Sequence, residues 1–262
     1  MVDRVSGRTV LVTGAGQGMG AGIARALAAE GANVAVGDIN LAAADAVAAA
    51  LRDEGLSALS VGMDVTKRDD VRAAIAETVR EFGRLDVMFN NAGVNKPMQF
   101  LEVTEENWNL VMDVNALGVL IGTQEAAKQM IEQGGGGKIV NTASIASRQG
   151  YAEFVPYCAS KFAVVAIIQA GARALADHHI TVNGFSPGVV DTPLWAQLDK
   201  DMVDINAAEK EGDAFAAFAS GALLGRAAKV EDIVPTAVFL ASSDSDFITG
   251  QVMAIDGGMV LV

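Results

Sequence analysis

Thr9-Val10-Leu11-Val12-Thr13-Gly14-Ala15-Gly16-Gln17-Gly18-Met19-Gly20 is the stretch that decides the fold. Its first five residues are an aliphatic and β-branched run, the pattern of a strand covered on both faces. Glycines at 14, 16, 18 and 20 then punctuate the chain, and a helical pattern follows from Gly18 to Glu30. Strand, glycine turn and helix in this order bring backbone N–H groups and the positive end of a helix to one point, where an anion such as a pyrophosphate is favoured. The spacing departs from G-x-G-x-x-G, because Met19 holds the sixth position from Gly14, and fits T-G-x-x-x-G-x-G instead. A plain tight turn would use the same glycines, so the strand-to-helix context carries the binding reading.

Outward from this loop, short aliphatic runs alternate with helical patterns. Asn33–Asp38, Leu56–Val61, Leu85–Asn90, Lys138–Ala143, Thr181–Phe185 and Val252–Ile255 read as further strands. Leu41–Glu54, Val71–Phe82, Glu105–Ile131, Tyr157–Asp177 and Val230–Ala241 read as helices, the third of them one long helix. The alternation predicts an α/β fold: one domain over residues 1–262, with a doubly wound parallel sheet of about seven strands and helices on both faces. The mixed segment 191–224 reads as an amphipathic lid.

Thirty-two acidic against nineteen basic residues give a net charge of −13. Such a surface repels a phosphate backbone and anionic lipid, which argues against nucleic-acid or membrane partners. A single cysteine, Cys158, cannot form an internal disulfide and fits a reducing compartment. Met1-Val2-Asp3-Arg4 lacks the pattern of a secretory leader, and the most apolar stretch, Phe162–Ile168, is too short to span a bilayer. A soluble cytoplasmic protein is expected. His178 and His179 are the only histidines, and no metal-ligand cluster is expected.

The candidate site residues follow the strand ends. Asp38, with Ile39 after it, closes the second strand, where a carboxylate accepts hydrogen bonds from the ribose of NAD and repels the extra phosphate of NADP. No Arg or Lys occurs at positions 37–41 or between Thr9 and Arg25. Asp64-Val65 follows the third strand, and Asn91-Ala92-Gly93 the fourth, where ligands sit in open parallel sheets. Tyr157 and Lys161 lie four apart on a helix and so share a face, an arrangement in which an ammonium lowers the pKa of a phenol. Ser144 ends the fifth strand, ready to hold a substrate oxygen beside that phenol. Asn115 sits inside the long helix, an unfavourable place for asparagine, and is a candidate to hold water for a proton relay.

Together these residues resemble the short-chain dehydrogenase/reductase family over essentially the whole chain. The matching motifs are Thr13–Gly20, Asn90–Gly93, Asn115, Ser144, Tyr157-x-x-x-Lys161, Pro187-Gly188 and Asp256-Gly257-Gly258. The resemblance implies a Rossmann-type sheet and an Asn115–Ser144–Tyr157–Lys161 tetrad that transfers hydride between nicotinamide and a carbonyl or alcohol carbon. It implies cofactor contacts from Gly14, Gln17, Gly18, Met19, Tyr157 and Lys161, and from Pro187, Gly188, Val190 and Thr192. The C-terminal third, with Thr192-Pro193-Leu194-Trp195 and Ile255–Val260, is similar to acetoin/diacetyl reductases (2,3-butanediol dehydrogenases) and to sorbitol-type polyol dehydrogenases.

The expected substrate is a small neutral alcohol or ketone: a vicinal diol, an acetoin-like compound or a sugar alcohol. Gln149, Glu153, Trp195 and Gln197 are candidate substrate contacts beside Ser144 and Tyr157. An NAD(H)-binding sensor without turnover, a reductase of another carbonyl, and an isomerase or dehydratase that keeps its NAD stand as alternatives. The helix from Tyr157 is apolar around most of its circumference, and the chain ends Met259–Val262. Both suggest a subunit contact, and the resemblance implies a homotetramer.

Overall fold

β1 (Thr9–Thr13) is buried along its whole length. Its alternation sends Val10 and Val12 into one layer with Ile23, Leu27, Phe185 and Ile233, and Leu11 into the other with Met88, Ile139 and Ile168. A strand flanked by two apolar layers must lie mid-sheet, and it does. The structure, a computed structural model, describes residues 4–261. The leader reading at Met1–Asp3 and the final Val262 lie outside the described residues.

The chain alternates β1, α1 (Gly18–Ala29), β2 (Asn33–Asp38), α2 (Leu41–Asp53), β3 (Ala58–Gly62), α3 (Arg68–Phe82) and β4 (Val87–Asn90). It continues through α4 (Glu105–Met112), α5 (Gly118–Gln133), β5 (Gly137–Thr142), α6 (Val155–Leu175) and β6 (Ile180–Pro187). The last elements are α7 (Pro193–Asp204), α8 (Asp213–Ala219), α9 (Val230–Ala241) and β7 (Val252–Ile255). The seven strands form one all-parallel sheet in the order β3-β2-β1-β4-β5-β6-β7. The order reverses direction between β1 and β4, so the connections leaving their carboxyl ends diverge and open a crevice there.

Three expectations change. The helix read as continuous over Glu105–Ile131 is interrupted: Asp113–Leu117 winds as a wider π-turn between α4 and α5. β4 begins at Val87 rather than Leu85, because the Gln133 amide takes both the N–H and the C=O of Leu85, at 3.1 and 2.7 Å. The apolar segment around α6 is longer than Phe162–Ile168. Helical structure runs over Ala152–His178, 27 residues, long and apolar enough to cross a bilayer by length and composition. It is a core helix here, with Lys161, Val164, Ile168 and Ala172 buried.

α5 is fixed from the side by Glu125. Burial alone would raise its carboxyl, but donors from Lys128, Arg72 and Arg68 outweigh that and hold it at about 2. The cluster ties α3 to α5, and α5 continues directly from the π-turn that carries Asn115.

Candidate active site

The carboxyl ends of β1 and β4 are stapled by two side chains. Thr13 Oγ1 donates to the Phe89 carbonyl (3.2 Å) and accepts the N–H groups of Asn91 and Ala92, both at 3.0 Å. The Asn91 amide donates back to the carbonyls of Thr13 (3.0 Å) and Gly14 (3.3 Å). The two loops approach so closely that a Cβ on Gly14, which has φ +62°, would stand 2.8 Å from Ala92 Cα. A Cβ on Gly20 would collide with the Gly14 carbonyl. These two glycines let the first turn of α1 close onto the end of β1, with its N–H groups turned to the crevice.

The crevice is a cleft of about 370 Å³. Every residue expected to bind the dinucleotide lines it except Lys161: Gly14 to Met19 by way of Gln17 and Gly18, then Asp38, Ile39, Asp64, Val65 and Asn91–Gly93. Pro187, Gly188, Val190 and Thr192 close the other side, and Ser144 and Tyr157 stand at the inner end. Asp38 is pre-aimed: Gly16 N–H donates to Oδ2 and Asn40 N–H to Oδ1, each at 2.9 Å. At Asp64 burial resists ionisation, but donors from Thr66 and Lys67 prevail and keep the carboxyl below its usual range. No Lys, Arg or His lines the cleft among the described residues. A long cleft floored by helix N–H groups, with carboxylates at its far end, fits a dinucleotide.

The side chains of Tyr157 and Ser144 stand together at the inner end of the cleft, close enough for the serine hydroxyl to favour the phenolate. Ser144 also caps the short turn Ile145–Ser147 by accepting the Ala146 N–H at 3.2 Å, which fixes its hydroxyl. Lys161 Nζ lies 5.5 Å from the centre of the Tyr157 ring. The expected effect of this cation on the phenol does not appear in the protein alone. Burial pushes Tyr157 up to about 12, with the Ser144 hydroxyl opposing, although part of the ring surface faces the cleft. Burial likewise lowers Lys161 to about 8. Its Nζ donates to the Thr142 carbonyl at 2.8 Å. The two groups meet in a poorly hydrated place that disfavours both charges.

Asn115 is fully buried and does not line the cleft. In place of free amide groups for a water relay, its Oδ1 accepts Val94 N–H and its Nδ2 donates to Val94 C=O, both at 2.8 Å. Nδ2 also reaches Ser160 Oγ at 3.2 Å. The residue therefore acts on the site through the Gly93–Val94 segment, and the π-turn is what aims it there; such turns recur at functional sites.

Beyond Ser144 and Tyr157 the cleft opens into a chamber of about 50 Å³. Its wall is aromatic: Phe218 lies with ring centres 5.5 Å from Phe154, 5.5 Å from Tyr151 and 5.4 Å from Trp195. Trp195 thus lines the chamber as expected from its position, whereas three other expected contacts do not. Gln149 is exposed and donates to Tyr151 Oη at 2.6 Å. Gln197 is exposed and donates to Asp201 Oδ1 at 2.8 Å, and Glu153 is absent from the lining. The sequence reading also missed Met63, Val94, Val114, Thr142, Ala143 and Leu194. For Thr142 a signal existed, because it ends a parallel strand next to Ser144.

Phe218 is placed by a remote cap. α8 starts without a side-chain cap of its own. The buried Asp199 on α7 takes its place, accepting the N–H groups of Gly212 and of Phe215, the latter at 2.9 Å. Asp199→Ala leaves two helix N–H groups unpaired, a cost of about 1–2 kcal/mol. The variant is expected to raise KM for the carbonyl or alcohol several-fold with little change in cofactor affinity. Equal KM values for wild type and variant would show that α8 does not shape the chamber.

This sheet, dinucleotide cleft and Ser–Tyr–Lys cluster define a nicotinamide-type oxidoreductase of the short-chain class. The chain belongs to the short chain dehydrogenase family, whose profile matches residues 8–203. It is 41% identical over 253 residues to a diacetyl reductase [(S)-acetoin forming] of Staphylococcus epidermidis, covering 97% of this chain and 98% of that protein. It is 40% identical over 255 residues to a galactitol 2-dehydrogenase of Agrobacterium fabrum, with 97% and 98% covered. The crystal structure of a short-chain type dehydrogenase/reductase from Mycobacterium marinum superposes with a TM-score of 0.90 at 34% identity, over 100% of this chain and 98% of that one. The Rossmann-type fold read from the sequence is thereby shown, and the family implies an NAD(P) cofactor.

Proposed function

We propose that the protein is an NAD-dependent oxidoreductase acting on a small neutral alcohol or ketone, either an acetoin-like or vicinal diol compound or a sugar alcohol. The observation that carries it is the pairing of Tyr157 and Ser144, which line both the long cleft and the aromatic chamber where the two meet. A dinucleotide bound in the cleft supplies or accepts the hydride. The chain's own residues handle the oxygen. Ser144 Oγ and Tyr157 Oη hold it between them, and the phenol gives its proton to a carbonyl oxygen or, as phenolate, takes one from an alcohol. Lys161 stands behind the ring and fixes the end of β5 through Thr142. Among the described residues the chamber lining holds no Lys, Arg or His, which suits an uncharged substrate.

The preference for NAD over NADP rests on Asp38 and the absence of a cation in the described lining. Asp38→Ala is expected to lower the NAD:NADP ratio of kcat/KM by about 10-fold or more, since one charge-assisted hydrogen bond pair and one repulsion disappear. The measurement is NADH or NADPH absorbance with 2,3-butanediol and with galactitol. A ratio unchanged in the variant would remove Asp38 as the discriminator. Failure of wild type to turn over diols, polyols, acetoin and diacetyl with either cofactor would remove the substrate reading.

The charge, the single cysteine and the family support a soluble, cytoplasmic protein with no nucleic-acid or membrane partner. α4, α5 and α6 and the turn between them expose Trp108, Leu110, Leu117, Ile131 and Phe162. Large apolar side chains left in water on neighbouring elements support a homotetramer.

A further inference from the structure

The chamber is small and its wall is built mainly of Phe154, Phe218, Trp195, Leu194 and Leu198. A hexitol brought here would carry several hydroxyls past the reacting carbon, and apolar walls offer them no partners. One side chain breaks the pattern. Asn95, two residues beyond Gly93, is a half-buried part of the lining. Its amide makes no hydrogen bond among the described residues. The buried or cleft-lining asparagines around it are engaged: Asn90 donates to Asn141, Asn91 to Thr13, Asn107 to Lys96 and Asn115 to Val94. The hydroxyl of Tyr151, also on the wall, is already held by Gln149. Asn95 is left as the uncommitted polar group facing the space next to Ser144 and Tyr157.

We propose that Asn95 is a specificity-determining residue that holds the second oxygen of a substrate with two adjacent oxygens on a short carbon chain. The first oxygen sits on Ser144 and Tyr157. The substrate class is thus a vicinal hydroxyketone, diketone or diol rather than a long polyol; this rests on the oxidoreductase reading above. A primary amide has both a donor and an acceptor. Its N–H serves a second carbonyl and its C=O serves a second hydroxyl, so oxidised and reduced partners of one couple are held at the same point.

The test compares kcat/KM for diacetyl, acetoin and 2-butanone with NADH in wild type, Asn95→Leu and Asn95→Asp. Wild type is expected to prefer the two dioxygenated ketones, and Asn95→Leu to reduce that preference about 20-fold. Asn95→Asp is expected to keep acetoin within about threefold and to lose about 20-fold on diacetyl, because a carboxylate accepts from a hydroxyl and offers nothing to a carbonyl. A purely structural asparagine would depress all three ketones in parallel, and that result overturns the assignment. So does a preference that survives both changes, or faster oxidation of galactitol than of 2,3-butanediol by wild type. Absence of turnover by wild type with every ketone, alcohol and polyol is a different outcome and sinks the oxidoreductase reading itself, together with this one.

Discussion

Tyr157→Phe is expected to lower kcat about 1000-fold in both directions while the protein still binds the dinucleotide. The change removes one oxygen and leaves the ring, which packs beside Phe154 and Cys158. Stability should therefore move little. The lost oxygen is the one beside Ser144, and no other side chain in the lining of the two cavities is a phenol except Tyr151, whose hydroxyl is held by Gln149. With its pKa pushed up to about 12 by burial, the Tyr157 phenol is protonated at neutral pH, the form that protonates a carbonyl. Alcohol oxidation needs the opposite form and should rise with pH in wild type. Steady-state rates with the dinucleotide titrated by fluorescence check both points. A variant with more than a tenth of wild-type kcat would remove Tyr157 from the chemistry.

Lys161→Met is expected to stabilise the fold and to cost about 100-fold in rate. The lysine is 3% exposed, and burial brings it from the usual 10.5 to about 8. A folded pKa below the unfolded one means that the folded state resists the proton. The penalty is full below pH 8, fades as pH rises from about 8 to 10.5, and is absent above. That shift corresponds to about 3 kcal/mol, offset by about 1 kcal/mol for the lost hydrogen bond to the Thr142 carbonyl. A gain of about 2 kcal/mol at pH 7, shrinking toward pH 10, is the expected outcome of urea unfolding at several pH values. A variant less stable than wild type at pH 7 would show that the Lys161 ammonium is better solvated than its burial implies. A stabilising change that damages catalysis marks a residue kept for chemistry, at the expense of the fold.

Much of the scaffold was legible because period and position were enough. β1, β2, α9 and β7 fall where the aliphatic runs and helical patterns put them. The strand-end rule places Asp38, Asp64, Asn91 and Pro187 around one cleft without any knowledge of packing. What depends on packing was not legible. The four-residue spacing of Tyr157 and Lys161 predicts proximity, which holds, but not the burial that reverses the expected shift of the phenol. Phe154 and Phe218 are far apart in the sequence, and nothing local announces that their rings stack. Gln149 had the right chemistry and position for a substrate contact, yet a nearer hydroxyl on Tyr151 captured it. The misplaced asparagine at 115 was the visible trace of the π-turn, read as polarity inside a helix rather than as a change in winding.

That change in winding constrains the length of the chain. Each residue of a regular helix advances the next by about 100°, so removing one residue from the first turn of α5, after the π-turn, would rotate the rest of α5 by roughly that angle relative to α4. Glu125 would swing away from Arg68 and Arg72, Thr123 from Asn90, and Met130 out of the core. Adding a residue would do the same in the other sense. The segment from Glu105 to Gln133 therefore tolerates substitution far better than insertion or deletion.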